Sequence, residues 1–259
     1  MLITVLAENS HIRAVGFEGE EIRFHASVQT EPRQTSDYYI LMLTQLFTLY
    51  GVSGERITGV VLASVVPQLT PTLIDALARI AGSRHKLLSL SSGIKTGLNI
   101  RSDQPQQVGA DRVAAAVAAK ARGSLPCVVV DCGCATNLHP CSMKTARSSR
   151  RPSPRASSFR SKRFVHRPRS CRLWRSCAAQ NMTLWRGTPR TQCVSAQSWA
   201  RLAMVDGLIG RYAAVLGKTP RVWLTGDCCQ LIAPHLSIGW DRADDLIFEG
   251  LRLVWSKNR

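Results

Sequence analysis

Four short stretches carry side chains that could do chemistry. Glu8-Asn9-Ser10 falls in a turn, with a carboxylate and two polar donors on adjacent residues. Gly109-Ala110-Asp111-Arg112 opens an alanine-rich run. Asp131-Cys132-Gly133-Cys134 closes an apolar one, and Thr225-Gly226-Asp227 closes another. A positioned carboxylate can help a hydroxyl attack an electrophile, but Asp111 can equally do no more than complement the first turn of a helix. A carboxylate at the end of a strand beside a glycine can hold a hard cation; the alternative for Asp131 is a turn-forming aspartate. The cysteines do not read as a metal centre. Cys132 and Cys134 are too close for the usual zinc pair and Cys228-Cys229 are adjacent, so small buried hydrophobes are the expected role.

These stretches need elements to hold them. Residues 2–6 and 12–17 read as strands around the turn at 8–10. Residues 37–50 read as a helix capped by Thr35 or Ser36 and followed by Gly51. The run 59–67 is a buried strand stopped by Pro67, and 69–82 is a helix with Pro71 near its start and Gly82 at its end. A strand at 85–90, an alanine-rich helix at 110–123 and a buried strand at 126–133 complete an α/β alternation. Periodicity then stops at about residue 138. It returns at Met204, with helices predicted over 204–217 and 243–255 around a strand at 221–227.

Charge is as uneven as pattern. The formal net charge is +17, yet residues 132–205 contain no Asp or Glu and hold 15 of the 34 Lys and Arg. The rest has 19 basic residues against 17 acidic ones, close to neutral. Basic character therefore belongs to one block. No apolar run is long enough to span a bilayer and no signal peptide is recognised, so a cytoplasmic protein with reduced thiols is expected.

The segments AENSHI, GVVLASVVP, TGLNIRSDQPQQVGADRV and CVVVDCGCATN occur in an order that resembles type III pantothenate kinase, the Bvg accessory factor-like family. MVDGLIGR, LTGD and DDLIFEGLRLVW resemble its C-terminal segments. The resemblance covers about 1–137 and 202–259. It implies ATP-dependent phosphorylation of pantothenate to 4'-phosphopantothenate, the first step of coenzyme A synthesis. It also implies two ribonuclease-H-like domains of the actin/sugar-kinase/Hsp70-like fold, divided here as 1–115 and 116–259. A cytoplasmic homodimer using ATP, magnesium and a monovalent cation (K+ or NH4+) is implied as well, with no membrane or nucleic-acid partner. By resemblance Asp111 is the general base, and Gly109, Ala110, Arg112 and Ser102 bind substrate. Asp131 holds the monovalent cation. Leu6, Glu8, Asn9, Ser10, Cys134, Thr225 and Gly226 stand at the ATP positions.

Several of these positions depart from the family. The phosphate loop Asp-x-Gly-Asn-Thr is here Leu6-Ala7-Glu8-Asn9-Ser10. Leu6 cannot bind a cation, and Glu8 puts a carboxylate where phosphate should lie. Glu8 could stand in for the missing carboxylate, because side chains two apart on a strand share a face. Ser102 replaces a tyrosine, Cys132 a phenylalanine, and Cys134 a threonine. Asp227 replaces a glycine near the adenosine. These departures imply weak activity or none.

The basic block 138–201 has its own explanation, a shifted reading frame. When each codon starts at the third base of the observed one, RSSRRPSPRAS permits Phe-Leu-x-Ala-Ala-Ile-Ala-Pro-Gly-Leu. The family has Phe-Leu-Gly-Gly-Ala-Ile-Ala-Pro-Gly there. At the same offset SCRLWR permits Leu-Pro-x-Val-Glu, and RGTPRTQC permits Gly-Asn-Thr-x-Asp-Ala-Val, near a family substrate-binding stretch. The expectation is a frame change near 138–146, a return near 197–203, and a disordered middle to the second domain. A catalytically inactive kinase-like binder, a nucleic-acid arm at 144–175 and a solvated linker are the alternatives.

Overall fold

The computed structural model describes residues 1–83, 86–100, 108–132, 136–141, 189–226 and 229–259. They form two compact units, Met1–Ser124 with Arg242–Arg259, and Leu125–Asp241. The division expected at residue 115 falls inside a helix; the break comes after that helix, and the C-terminal helix belongs to the first unit.

The first unit is built on a five-stranded sheet of order β3-β2-β1-β4-β5. Strands β1 (Leu2–Ala7) and β2 (His11–Glu18) pair antiparallel around the predicted turn. Strand β3 (Glu21–Gln29) extends the meander. The sequence reading missed β3, although Ile22, Phe24, Ala26 and Val28 alternate with polar residues along it; as an edge strand it fully buries only Phe24 and Ala26. Strands β4 (Gly59–Ser64) and β5 (Leu87–Ser89) join parallel on the other side of β1. All six residues of β1 are buried. Unbroken burial of this kind requires cover on both faces of a sheet.

One cover comes from α1 (Ser36–Leu49) and α2 (Thr70–Ile80). Thr35 caps α1 by accepting the Tyr38 N–H, as its position before the helix predicts. Tyr39, Leu43 and Phe47 of α1 and Leu73 and Leu77 of α2 pack on Ile3, Val5, Val60 and Leu62. Each such side chain contributes about 1.5–3 kcal/mol by leaving water.

The remaining helices of this unit are α3 (Ala110–Ala121) and the C-terminal helix, Leu246–Lys257. They meet at backbone distance. Gly250 lies so close to Ala114 that a Cβ there would collide with the Ala114 carbonyl. Arg122 at the end of α3 also donates to the Glu249 carboxylate at 2.6 and 3.1 Å.

The second unit carries a four-stranded sheet of order β7-β6-β8-β9. Strands β6 (Cys127–Cys132) and β7 (Thr136–Cys141) are antiparallel, while β6 and β8 (Arg221–Thr225) are parallel. The short β9 (Asp241–Arg242) lies at the edge. Helix α4 (Pro189–Leu216) and the short α5 (Cys229–Ile232) accompany this sheet, and the C-terminal helix of the first unit is α6. Leu202, Val205 and Ile209 of α4 pack with Val128, Val130, Val222 and Leu224.

Two elements enter the interval where no periodicity was expected. Strand β7 runs to Cys141, since backbone pairing with β6 does not require an alternating pattern. Helix α4 begins at Pro189 rather than near 204, because residues 190–203 contain no helix breaker ahead of the strongly patterned part. Of the disorder expected over 138–201, residues 138–141 lie in β7 and 189–201 in α4, while 142–188, with the whole nucleic-acid arm at 144–175, lie outside the described residues. No helix among those described is long and apolar enough to cross a membrane.

The first unit follows the ribonuclease-H-like plan, an antiparallel meander continued by parallel strands, and the second pairs β6 antiparallel with β7 and parallel with β8, so the α/β class holds. Gly250→Ala should lower stability by about 1–3 kcal/mol through overpacking, measured by urea unfolding. A similar substitution at Gly19, where a Cβ would meet no atom within 4 Å, lacks that clash and serves as the comparison for backbone strain alone.

Candidate active site

In the first unit three chain segments converge. The C-terminal ends of β1 and β4 lie side by side, with Ala7 opposite Ser64. The Val65 N–H donates to the Ala7 carbonyl at 3.0 Å. A Cβ on Gly109 would stand 3.7 Å from Val65 Cγ1, so the start of α3 reaches the same place. Predicted residues 8–10 and 109–112, far apart in sequence, are thereby brought to one end of one sheet.

Asp111 sits in the first turn of α3, with its Oδ1 where a side chain on Gly109 would be. A side chain at 109 would have to displace that carboxylate. That Oδ1 is shielded from solvent and has no hydrogen-bond partner among the described residues. An acceptor left unpartnered in a folded chain is available to a ligand's proton. The Gly109 carbonyl accepts from the N–H groups of Arg112 and Val113, Ala110 is buried, and Arg112 is exposed.

The turn at 8–10 is tightly tied. The Glu8 N–H donates to the His11 carbonyl at 2.9 Å. Thr30 donates its hydroxyl to the Glu8 carbonyl at 2.6 Å and its N–H to the Ser10 carbonyl at 3.0 Å. Asn9 is exposed, and Ser10 Oγ lies 3.1 Å from His11 Nδ1. Leu6 is wholly buried.

Glu8 does not stand free. Leu6 pairs across the hairpin with Arg13, and Glu8, two residues on, shares their face. Its Oε2 accepts from Arg13 at 2.9 and 3.1 Å. The Arg13 guanidinium also lies over the Phe248 ring, 5.5 Å from its centroid. Burial raises the Glu8 pKa above 4.5; Arg13 opposes the rise, the Asp111 charge adds to it and His11 lowers it. Asp111 is therefore within electrostatic reach of Glu8. Arg13 was missed as a site residue. Its signal was the opposite charge five positions from Glu8 across a predicted hairpin.

Magnesium does not fit this turn. A divalent cation needs oxygen donors. Leu6 has none, and the Glu8 oxygen is engaged by a guanidinium. Glu8 is thus not a ready replacement for the missing aspartate.

The second unit gathers Asp131, Cys132, Thr225 and Gly226. Asp131, nearly at the end of β6, is opposite Thr225 on β8 and Asn137 on β7. Asp131 is 4% exposed and Thr225 2%. Gly226 has φ +96, and a Cβ there would lie 2.8 Å from Asp131 Oδ1 and 2.7 Å from the Cys132 carbonyl carbon. Only glycine allows this approach. A buried carboxylate beside a threonine and closely set backbone suits a monovalent cation. Among the described residues no group of three or more His, Cys, Asp or Glu could hold a metal ion. Cys132 is buried, as expected of a small hydrophobe. Ser102, Cys134 and Asp227 lie outside the described residues.

A titration follows from the Glu8 environment. With its folded pKa raised, stability linked to Glu8 is present below the unfolded value and is lost as pH rises through the folded value. Native stability minus that of Glu8→Gln should therefore fall as pH rises above the ordinary glutamate range in urea unfolding.

Residues 2–145 match the family described as type III pantothenate kinase. A type III pantothenate kinase from Moorella thermoacetica is 33% identical over 260 residues, covering 100% of both chains. One from Myxococcus xanthus is 31% identical over 258 residues, covering 100% of this chain and 99% of the relative. Among solved structures, the ethanolamine utilization protein EutJ from Carboxydothermus hydrogenoformans superposes with TM-score 0.50 at 13% identity, over 97% of this chain and 89% of that one, a likeness of fold alone. With the family match over more than half its length and full-length relatives at this identity, the chain belongs to the type III pantothenate kinase family.

Proposed function

We propose that the chain is an ATP-dependent kinase that phosphorylates the primary hydroxyl of pantothenate, with Asp111 as its general base. The observation that carries this reading is the Asp111 carboxylate, set over Gly109 with a buried Oδ1 that has no hydrogen-bond partner among the described residues. The hydroxyl proton passes to Asp111 as the substrate oxygen bonds to the γ-phosphorus. The bond from that phosphorus to the β,γ-bridging oxygen breaks, and ADP leaves. The Gly109 backbone, Ala110, Arg112 and Ser102 contact the substrate. Asn9 and Ser10 donate to phosphate, and by family resemblance Cys134, Thr225 and Gly226 are further ATP-binding positions.

Asp131 would hold a monovalent cation, which supplies positive charge beside the nucleotide. Magnesium is left to the nucleotide's own phosphates, because Leu6 and Glu8 do not fit it. A cytoplasmic homodimer accompanies this reading. Asp111→Asn should lower turnover by about 10²–10⁴-fold while calorimetry finds pantothenate binding retained. Unchanged turnover would remove Asp111 from the role.

A second reading concerns competence. Leu6, Glu8 and Cys134 weaken nucleotide handling, and a shifted frame over 138–201 deprives the chain of substrate-binding segments. The family match ends at residue 145, inside the interval where the frame change is placed, which supports that reading. The outcome would be a weak enzyme or a catalytically inactive binder. Sequencing DNA across codons 130–210 should find inserted or missing bases near both ends of the block. If the frame is intact there, impairment rests on the turn alone, and 144–175 becomes a basic segment to test for salt-dependent nucleic-acid binding.

A further inference from the structure

The turn between β1 and β2 contains an anion of its own. Glu8 Oε2 accepts two N–H groups from Arg13, the arrangement in which a guanidinium also receives a phosphate oxygen. Both side chains are largely shielded, 24% and 21% exposed, so solvent weakens the pair less than it would a surface bridge. Phe248 lies against the guanidinium at 5.5 Å and limits where it can go. Asp111 is near enough for its charge to act on Glu8. Glu8 directly precedes Asn9 and Ser10, the residues given to the nucleotide's phosphates above.

Resting on the nucleotide reading above, we propose that Glu8 is an internal occupant of the nucleotide's phosphate position, held there by Arg13, and that it sets the affinity for ATP. A polyphosphate entering this end of the sheet meets two carboxylates, Glu8 and Asp111, and a guanidinium already neutralised by one of them. To engage Arg13 it must displace Glu8 and leave that carboxylate poorly paired, and like charges brought together in a shielded site repel strongly. The main chain of the turn cannot yield easily, since Thr30 binds the carbonyls of both Glu8 and Ser10. The side chain is what must move.

The test is calorimetric titration of the full chain with three probes: ATP, inorganic tripolyphosphate and adenosine. Glu8→Ala should bind ATP and tripolyphosphate about tenfold or more tightly than the native chain, the equivalent of one lost unfavourable contact, and adenosine equally. Adding Arg13→Ala to Glu8→Ala should abolish the gain. Circular dichroism melting checks the fold. If Glu8→Ala does not fold, Glu8→Gln removes the charge with little change of shape and carries the same expectation. Equal or weaker binding of ATP and tripolyphosphate by the folded variant, with adenosine unaltered, overturns the proposal and leaves the nucleotide reading standing. Absence of ATP and adenosine binding in both native and variant chains overturns the two together.

Discussion

Helices α3 and α6 touch backbone to backbone, and the candidate base depends on that contact. Gly250 lies against the Ala114 carbonyl, where any side chain would force the helices apart. Ala114 is one helical turn beyond Asp111, so the position of α6 determines that of the Asp111 carboxylate. The same helix presents Phe248 to Arg13. One close approach therefore fixes α3 directly and reaches the turn through Arg13. Small residues make it possible: Ala114, Ala115, Ala118 and Ala119 are all buried, and larger side chains would keep the helix axes further apart.

Glycine has a second role near the chemistry. Gly109 leaves room for the Asp111 carboxylate, and Gly226 lets backbone approach Asp131. Each carboxylate is thereby held close to main chain at the end of a strand or the start of a helix. Rigid support of this kind suits groups that must meet a ligand in one geometry. The two arrangements are built independently, one in each unit, from residues that are remote in sequence.

Electrostatics at the β1–β2 turn tells a different story from its family pattern. A cation ligand has become the buried Leu6, and a glycine has become Glu8. The new carboxylate has found a partner in Arg13, which explains how the fold accommodates it. Accommodation in the fold is not the same as competence toward a polyanion. The pair is neutral within itself, so the Arg13 charge is already taken up, while Asp111 contributes a further negative one.

Much was legible in the sequence. The caps at Thr35, the stops at Gly51 and Gly82, the apolar run of β4 and the alanine-rich α3 are local signals, and each marks an element that formed within a few residues of its expected place. The candidate carboxylates Asp111 and Asp131 were also legible, because their neighbours carry a family pattern. Strand β3 was legible too, in the alternation of Ile22, Phe24, Ala26 and Val28 with polar residues, though the sequence reading missed it. The start of α4 was not, since a helix can run on through residues of indifferent pattern. Above all, the sequence by itself determined which carboxylates were present, and only tertiary structure decided what they face. Whether Glu8 replaces a missing ligand or pairs with Arg13 depends on hairpin register. Whether Asp111 merely charges a helix or stands unpartnered depends on Gly109, Val65 and the approach of α6. Those are contacts between distant residues, and no window along the chain contains them.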